Sequence, residues 1–529
     1  MSSISNPTTT MAKKQPVSSE RSLSEKSSSL PEPTPGFILT TTSTPGTYTL
    51  SFSPSSPRNP YHWPLRRKLF IFVIALLAIM NSGISSALPS NAMPYIQPEF
   101  SVPDGPQSSL PTAVFLIGYI VGPLIFSPLS ETVGRRWVMV PSFTVFVLGT
   151  LGCALAPNWA ALLVFRFVCG IMGAAPQTVI GGVYADVFGG GRARGRAMVC
   201  YMSAASFGPI LGPIISGFAS QYSWRWTFWI ELIFAGVSWL GLVFMPETFG
   251  PVILKREAAR LRKAGVNVSS AAGKIDFLRV FSRPVTMIIT EPIISFTAIF
   301  ISLAYSLVFF FFQAYPIIFG GVYGLSIQTT SLAFLPVGAG ASTVGLLALT
   351  YDTYYERAKK AGREWTASPE LHRLPVSCLG GICLTISLFW LAWTAQPSIP
   401  YAVPLASGFL FGFGYQTIFV SLLTYVTDAY TIYSASALAS SVIIRSVMGA
   451  VFPMAVKPMY AAWGVQWATS FVGLLSLLCA PIPFALVVFG PRVRAASRFC
   501  QGMRDSAGDA GEEEREIQLD RVDRSFGNA

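Results

Sequence analysis

Two ionisable side chains, Arg166 and Glu231, stand inside long apolar runs, in VFRFVCGIMG and FWIELIFAG. A charged side chain at mid-bilayer costs at least ~2.5 kcal/mol unless it faces a partner or water. Arg166 must therefore point into protein, and Glu231, an acid in a low-dielectric setting, is suited to binding and releasing protons. Each residue has an alternative reading. Arg166 can be a structural residue that hydrogen-bonds the first apolar segment, where Asn81 is a candidate partner. Glu231 can lie near enough to the surface to form a solvated ion pair with Arg225. Catalysis has little to draw on, because His62 and His372 are the only histidines and both fall outside the apolar runs. No phosphate-binding glycine loop is present, and the seven cysteines show neither metal-ligand spacing nor a disulfide framework. An enzyme, a cofactor and a metal are not expected.

A second constellation is SPLSETVGRR, with Glu131 at the end of an apolar run, Gly134 permitting a tight turn, and Arg135 and Arg136 following. Either the arginines are an anchor at the membrane surface, or Glu131 is a conformational latch. The latch would be held by the partial positive charge at the start of a helix near Ser434. Further on, Arg166, Gly170, Gly173 and Gln177 fall within one narrow arc at ~100° per residue. Gly208-Pro209 and Gly212-Pro213, four apart in GPILGPIISG, free backbone carbonyls within a helix, and Ala204, Gly208, Gly212 and Ser216 form a side-chain-poor groove ahead of Gly217. Gly338, Gly340, Ala341 and Gly345 are the small residues expected to lie against that groove. Tyr305, Phe309 and Phe312 share a face with Gln313 at its margin, and Phe411, Tyr415, Gln416 and Phe419 recur in a later run.

The elements that position these residues follow from composition. With 529 residues, 52% hydrophobic, 12% charged and a mean hydropathy of +0.52, the chain belongs in a bilayer. Twelve apolar segments are expected, at 68–90, 107–130, 137–156, 160–186, 197–219, 226–246, 287–313, 328–350, 376–395, 401–427, 434–457 and 466–489. They form two six-helix bundles, 68–246 and 287–489, the arrangement of paired repeats. Residues 1–67 are Ser-, Thr- and Pro-rich and read as a disordered tail, 490–529 as a second tail, and 247–286 as a connector opening with a basic amphipathic helix on the inner membrane surface. Of the 37 Lys and Arg residues, only Arg225 and Lys457 fall on the opposite side, and Arg166 and Arg445 lie within spans. This asymmetry explains the net charge of +12 by topology rather than by nucleic-acid binding, and places both termini in the cytoplasm.

The run GPILGPIISG followed by Trp224-Arg225-Trp226 resembles the fifth-helix antiporter motif of the major facilitator superfamily, in its twelve-helix drug:proton antiporter branch. Its two Gly-Pro pairs are similar to those of fungal multidrug and polyamine-type exporters. SPLSETVGRR resembles the superfamily's loop 2/3 motif, with Glu131 where Asp is more frequent and Ser127 where Gly is usual. Arg166 stands where the fourth-helix motif has an arginine associated with proton coupling, and the branch usually has a neutral residue in place of Glu231. The PET stretch at 246–248, Arg283-Pro284, Glu291-Pro292, and SASALA with Arg445, Met448 and Pro453 continue the likeness. Thr424 replaces a frequent asparagine. The resemblance implies an all-α major facilitator fold whose spans one, four, seven and ten line a central cavity, here with Asn81, Gln177, Tyr305, Phe309, Phe312, Gln313, Phe411, Tyr415 and Gln416. The implied function is proton-coupled export of hydrophobic or cationic small molecules (drugs, toxins, secondary metabolites or polyamines) by a monomer in the plasma membrane. An importer of the same fold and a non-transporting sensor are the alternatives.

Overall fold

Each apolar run becomes a helix because a bilayer offers no water to bare backbone N–H and C=O groups, so they must pair within the segment. The structure, a computed structural model, describes residues 35–41, 48–53, 56–188, 192–269, 277–367, 370–430, 434–497 and 501. The first half supplies α1 (Leu65–Ala87), α2 (Leu110–Thr132), α3 (Arg135–Ala154), α4 (Trp159–Phe188), α5 (Arg192–Ala219) and α6 (Trp224–Val243). The second supplies α7 (Pro292–Tyr315), α8 (Leu335–Lys360), α9 (Glu370–Thr394) and α10 (Ala402–Ala429). A helical stretch of 46 residues, Ser434–Cys479, then follows, about twice what a bilayer needs. Gly464 interrupts it with φ +71°, a left-handed conformation that favours glycine. The break separates α11 (434–463) from α12 (465–479, continued by Pro481–Ala496), completing the twelve spans.

The two halves repeat one packing scheme in which backbones approach through small residues. Gly170 of α4 lies against the Phe115 carbonyl of α2, and in the second half Gly412 of α10 lies against the Val337 carbonyl of α8. Between the halves, α2 packs on α11 and α5 on α8. One expected contact is corrected. Gly208 and Gly212 do not meet the glycines of α8: a Cβ on Gly208 would come within 2.9 Å of Gly83, and one on Gly212 within 2.9 Å of Ala87, both on or at the end of α1. Of the α8 glycines, Gly338 does meet α5, but at Phe207 rather than at the groove, and Gly340 lies against the Phe409 carbonyl of α10. Small-residue spacing announces a close approach but does not say to which neighbour.

The remaining described residues form a separate small unit that corrects two expectations. Part of the supposed disordered tail is ordered: β1 (Phe37–Thr41) pairs antiparallel with β2 (Tyr48–Phe52), and β2 pairs parallel with β3 (Val268–Ser269). The basic connector helix, Gly250–Lys263, buries Ala258 and Leu261 with Val266 and Val268 against Leu39, Tyr48 and Leu50. Its apolar stripe is thus covered by the chain's own hairpin rather than by lipid, because apolar and polar residues alternate along YTLSF, which sets Tyr48 and Leu50 on one face with Leu39 paired to Leu50. In the membrane unit a further amphipathic helix, Phe277–Thr290, precedes α7, and the Ser440 hydroxyl donates to its Pro284 carbonyl at 2.8 Å.

Candidate functional site

Arg166 is 1% exposed and fully engaged. Its Nε donates to the Pro111 carbonyl at 3.0 Å, one terminal nitrogen to the Ser85 hydroxyl at 3.3 Å and the other to the Ser86 carbonyl at 3.4 Å, while its guanidinium lies 4.4 Å from the Phe115 ring centre. α4 can bring it there because Gly170 lets that helix close on α2. The hydrogen bonds run to the end of α1, as a structural arginine requires, but not through Asn81. That residue turns the other way, its Nδ2 donating to the Ser238 hydroxyl of α6 at 2.7 Å and to the Phe234 carbonyl at 3.4 Å. Asn81 therefore belongs to the α1–α6 contact, a correction to its expected place in a central cavity.

Glu231 is 2% exposed, and the alternative of a solvated ion pair with Arg225 does not form. Arg225 instead reaches Glu99 at 2.6 Å, on the segment that follows α1, and Glu99 also accepts from the Trp224 indole at 2.6 Å. A surface acid outcompetes the buried one because it needs no desolvation. Neither Glu231 oxygen has a hydrogen-bond partner among the described residues. Its polar neighbours are Ser85 and Arg166, and Ser85 accepts from Arg166 at 3.3 Å.

At the centre of the molecule the two halves meet on Arg445 of α11. Its guanidinium donates to Gln177 Oε1 of α4 at 3.3 Å and lies 5.1 Å from the Tyr305 ring centre and 5.2 Å from that of Phe419. Tyr305 and Phe419 stack at 6.4 Å, and Tyr415 packs on Phe419 at 5.8 Å, so the aromatic faces of α7 and α10 come together here. Tyr201 of α5 donates to the Gln177 carbonyl at 2.5 Å, and Tyr119 of α2 is bonded to Ser82. Of the expected cavity residues, Gln177, Tyr305 and Tyr415 converge, with Phe309 packed on Tyr305 at 5.0 Å. Phe411 is core, 4.3 Å from Phe311, and Gln416 is fully buried with neither amide atom paired among the described residues. Phe312 and Gln313 line a different cavity, of about 560 Å3, near the end of α1. Arg445, Tyr119 and Tyr201 are additions to the expected site. The desolvation argument made for Arg166 applies equally to Arg445 and was the available signal.

The loop after α2 is built around a different acid from the one anticipated. Gly134 takes φ +113° and a Cβ there would collide with the Glu247 carboxylate, which caps the start of α3. Glu247 accepts from the Arg135 backbone N–H at 2.8 Å and from that of Arg136 at 3.3 Å. The Arg135 side chain reaches Asp186 of α4 at 3.3 Å and the Ser130 hydroxyl at 2.6 Å, and Arg136 donates to the Val243 carbonyl at 2.9 Å. Both arginines are thus tied within the first half. Glu131 is exposed and shares a cavity wall with Leu438 and Ala439 of α11. That cavity brings it opposite the first turns of α11, with no bond to them among the described residues.

The faces of the membrane unit differ. On the face away from this loop, polar contacts cross between halves: Asn91 donates to Ser331 at 2.7 Å, Gln328 to Gln221 at 3.3 Å, and Asp104 pairs with Lys457. Gly217 of α5 adjoins Ser331, and Asn91 also donates to the Pro213 carbonyl at 3.1 Å. On the loop face, a cavity of about 250 Å3 runs from Glu131 and Arg194 to Gln177 and Arg445, and a second of about 350 Å3 separates the start of α5 from α8 and α10.

The family model described as Major Facilitator Superfamily matches residues 71–453. An MFS-type efflux pump of Trichophyton rubrum is 36% identical over 464 residues, covering 85% of this chain and 77% of the relative. The Ascochitine biosynthesis cluster MFS transporter of Didymella fabae is 37% identical over 467 residues, covering 84% and 88%. In fold, the proton:xylose symporter XylE aligns with a TM-score of 0.59 at 17% identity, over 80% of this chain and 95% of that one. With twelve spans in two matched halves, these likenesses establish that the chain is a multi-pass membrane transporter belonging to the major facilitator superfamily, among fungal relatives named for efflux.

Proposed function

We propose that this protein exports hydrophobic small molecules by alternating access, driven by protons moving inward. The observation that carries the reading is the asymmetry in polar contacts between the halves: on one side of the Arg445–Gln177 contact Asn91–Ser331, Gln328–Gln221 and Asp104–Lys457 tie them together around a cavity of about 560 Å3, while on the loop side cavities of about 250 and 350 Å3 lie between them. Such an arrangement supports one of the two end states of a rocking cycle. The basic loops support a cytoplasmic setting for the open face and for both termini, and the relatives named for efflux support export, at the plasma membrane, over import. Protons are the proposed coupling ion, bound at Glu231, with Arg166 sensing its charge through Ser85. Drugs, toxins and secondary metabolites fit aromatic walls better than polyamines do, because three of the four charged residues lining the central cavity are arginines. Purified protein in liposomes, with a pH gradient of either sign, tests the reading. Accumulation of a hydrophobic fluorophore should follow the gradient and collapse with a protonophore; transport indifferent to both would refute coupling.

A further inference from the structure

The central cavity is electrostatically incomplete. Arg445 is 3% exposed, makes one hydrogen bond to a neutral amide, and leaves its Nε without a partner among the described residues. No carboxylate reaches it within ion-pair distance among those residues. The other arginines on the cavity wall do not share this condition, since Arg135 is paired with Asp186 and Arg194 is exposed to solvent. The one acid in the lining, Glu131, sits at the exposed mouth. A buried guanidinium lacking an anion, between two aromatic faces, matches a planar acid whose ring can stack.

Resting on the exporter reading above, we propose that the site selects small aromatic carboxylates, with Arg445 as the residue that binds the carboxylate and Phe419 and Tyr201, the aromatic side chains of the cavity lining, as the walls for the ring. Gln177 is the placeholder: its Oε1 occupies one donor of Arg445 and gives way when a carboxylate arrives. The cargo class is therefore anionic, not cationic, and the arginine that confers it lies on α11, outside the four spans expected to line the cavity.

Three probes with one ring system test this on purified full-length protein in lipid nanodiscs: 2-naphthoate, 2-naphthamide and 2-naphthylmethylammonium, with affinity read by calorimetry at pH 7.5. The carboxylate should bind about tenfold more tightly than the amide, and the ammonium most weakly. Arg445→Gln should lower carboxylate binding to the level of the amide and leave the amide unchanged. Arg445→Lys, which keeps the charge but not the planar fork, should retain part of the preference and decides the matter if the Gln variant does not accumulate. Equal binding of acid and amide, tightest binding of the ammonium, no binding of any probe, or a preference that survives Arg445→Gln each overturns the proposal. Transport in liposomes separates it from the exporter reading. Carboxylate bound selectively but never moved would refute export and leave the site; amide moved as readily as carboxylate would refute the site and leave export.

Discussion

Arg166 and Arg445 are both buried arginines in membrane helices, one in each half, and they live differently. Arg166 meets three fixed acceptors and an aromatic face, all within the first half. Arg445 reaches across to the other half, meets one amide, and keeps a donor unpaired among the described residues. Desolvation of a guanidinium is comparable in the two places, so what differs is how the protein offsets it. Where rigid acceptors surround the charge, it works as a strut. Where they are missing, the charge is available to a ligand or to a change of state.

The largest expected effect breaks this comparison if it fails. Arg166→Ala strands the Pro111 and Ser86 carbonyls and should destabilise the protein by about 3 kcal/mol or more, whereas Arg445→Gln should stay within about 1 kcal/mol. Thermal melts of both detergent-solubilised variants by size-exclusion chromatography supply the check, and equal losses would mean that the two arginines are the same kind of residue. Next in size is the contact that holds α1, and with it the acceptors of Arg166. Gly212→Val must push α5 away from Ala87 and the Ile84 carbonyl, an overpacking cost of roughly 1–3 kcal/mol. Surface expression measured beside export should show normal insertion with transport sharply reduced; export that ignores side-chain volume at 212 would remove α1–α5 as a mechanical element.

A smaller effect sharpens the electrostatic side. Glu231→Gln removes a buried acid whose oxygens lack a hydrogen-bond partner among the described residues and should leave stability unchanged or raise it by up to about 1 kcal/mol. Its export should lose most of its dependence on external pH; an unchanged pH profile would move the proton to another group. The smallest effect concerns the closed face. The Lys457 ammonium beside Asp104 holds that carboxyl below the ordinary carboxylate range. A depressed value means that the contact's contribution is complete above the ordinary range and is lost as pH falls through the lowered value. Because Asp104 is largely exposed, Asp104→Asn should cost under about 1 kcal/mol and slightly raise cysteine labelling on that face. Labelling identical to wild type from pH 7 down to 3 would show that the pair contributes nothing to closure.

The spans and the repeat were legible because hydropathy over twenty residues is a strong signal and lipid permits few alternatives. Helix facing was not. Gly208 and Gly212 announce a groove, but α1, which also offers small residues at Gly83 and Ala87, fits it in place of α8. Glu231 could be recognised as buried, but not that Arg225 already had Glu99. Glu247 was hidden by sequence distance, since a cap for α3 arrives from beyond α6. The strands at Phe37–Thr41 and Tyr48–Phe52 were masked by averaging their alternating pattern with the Ser- and Pro-rich residues around them.

That hairpin also has a consequence for the order of synthesis. β2 leaves the ribosome before α1, yet its partner β3 and the connector helix that covers its apolar face are made only after all six spans of the first half. At ordinary elongation rates the hairpin waits on the order of 10–40 s for its partners. Closing the little sheet therefore has to follow synthesis of the whole first half, and it joins residues 37–52 to residues 268–269, ahead of α7 in the chain.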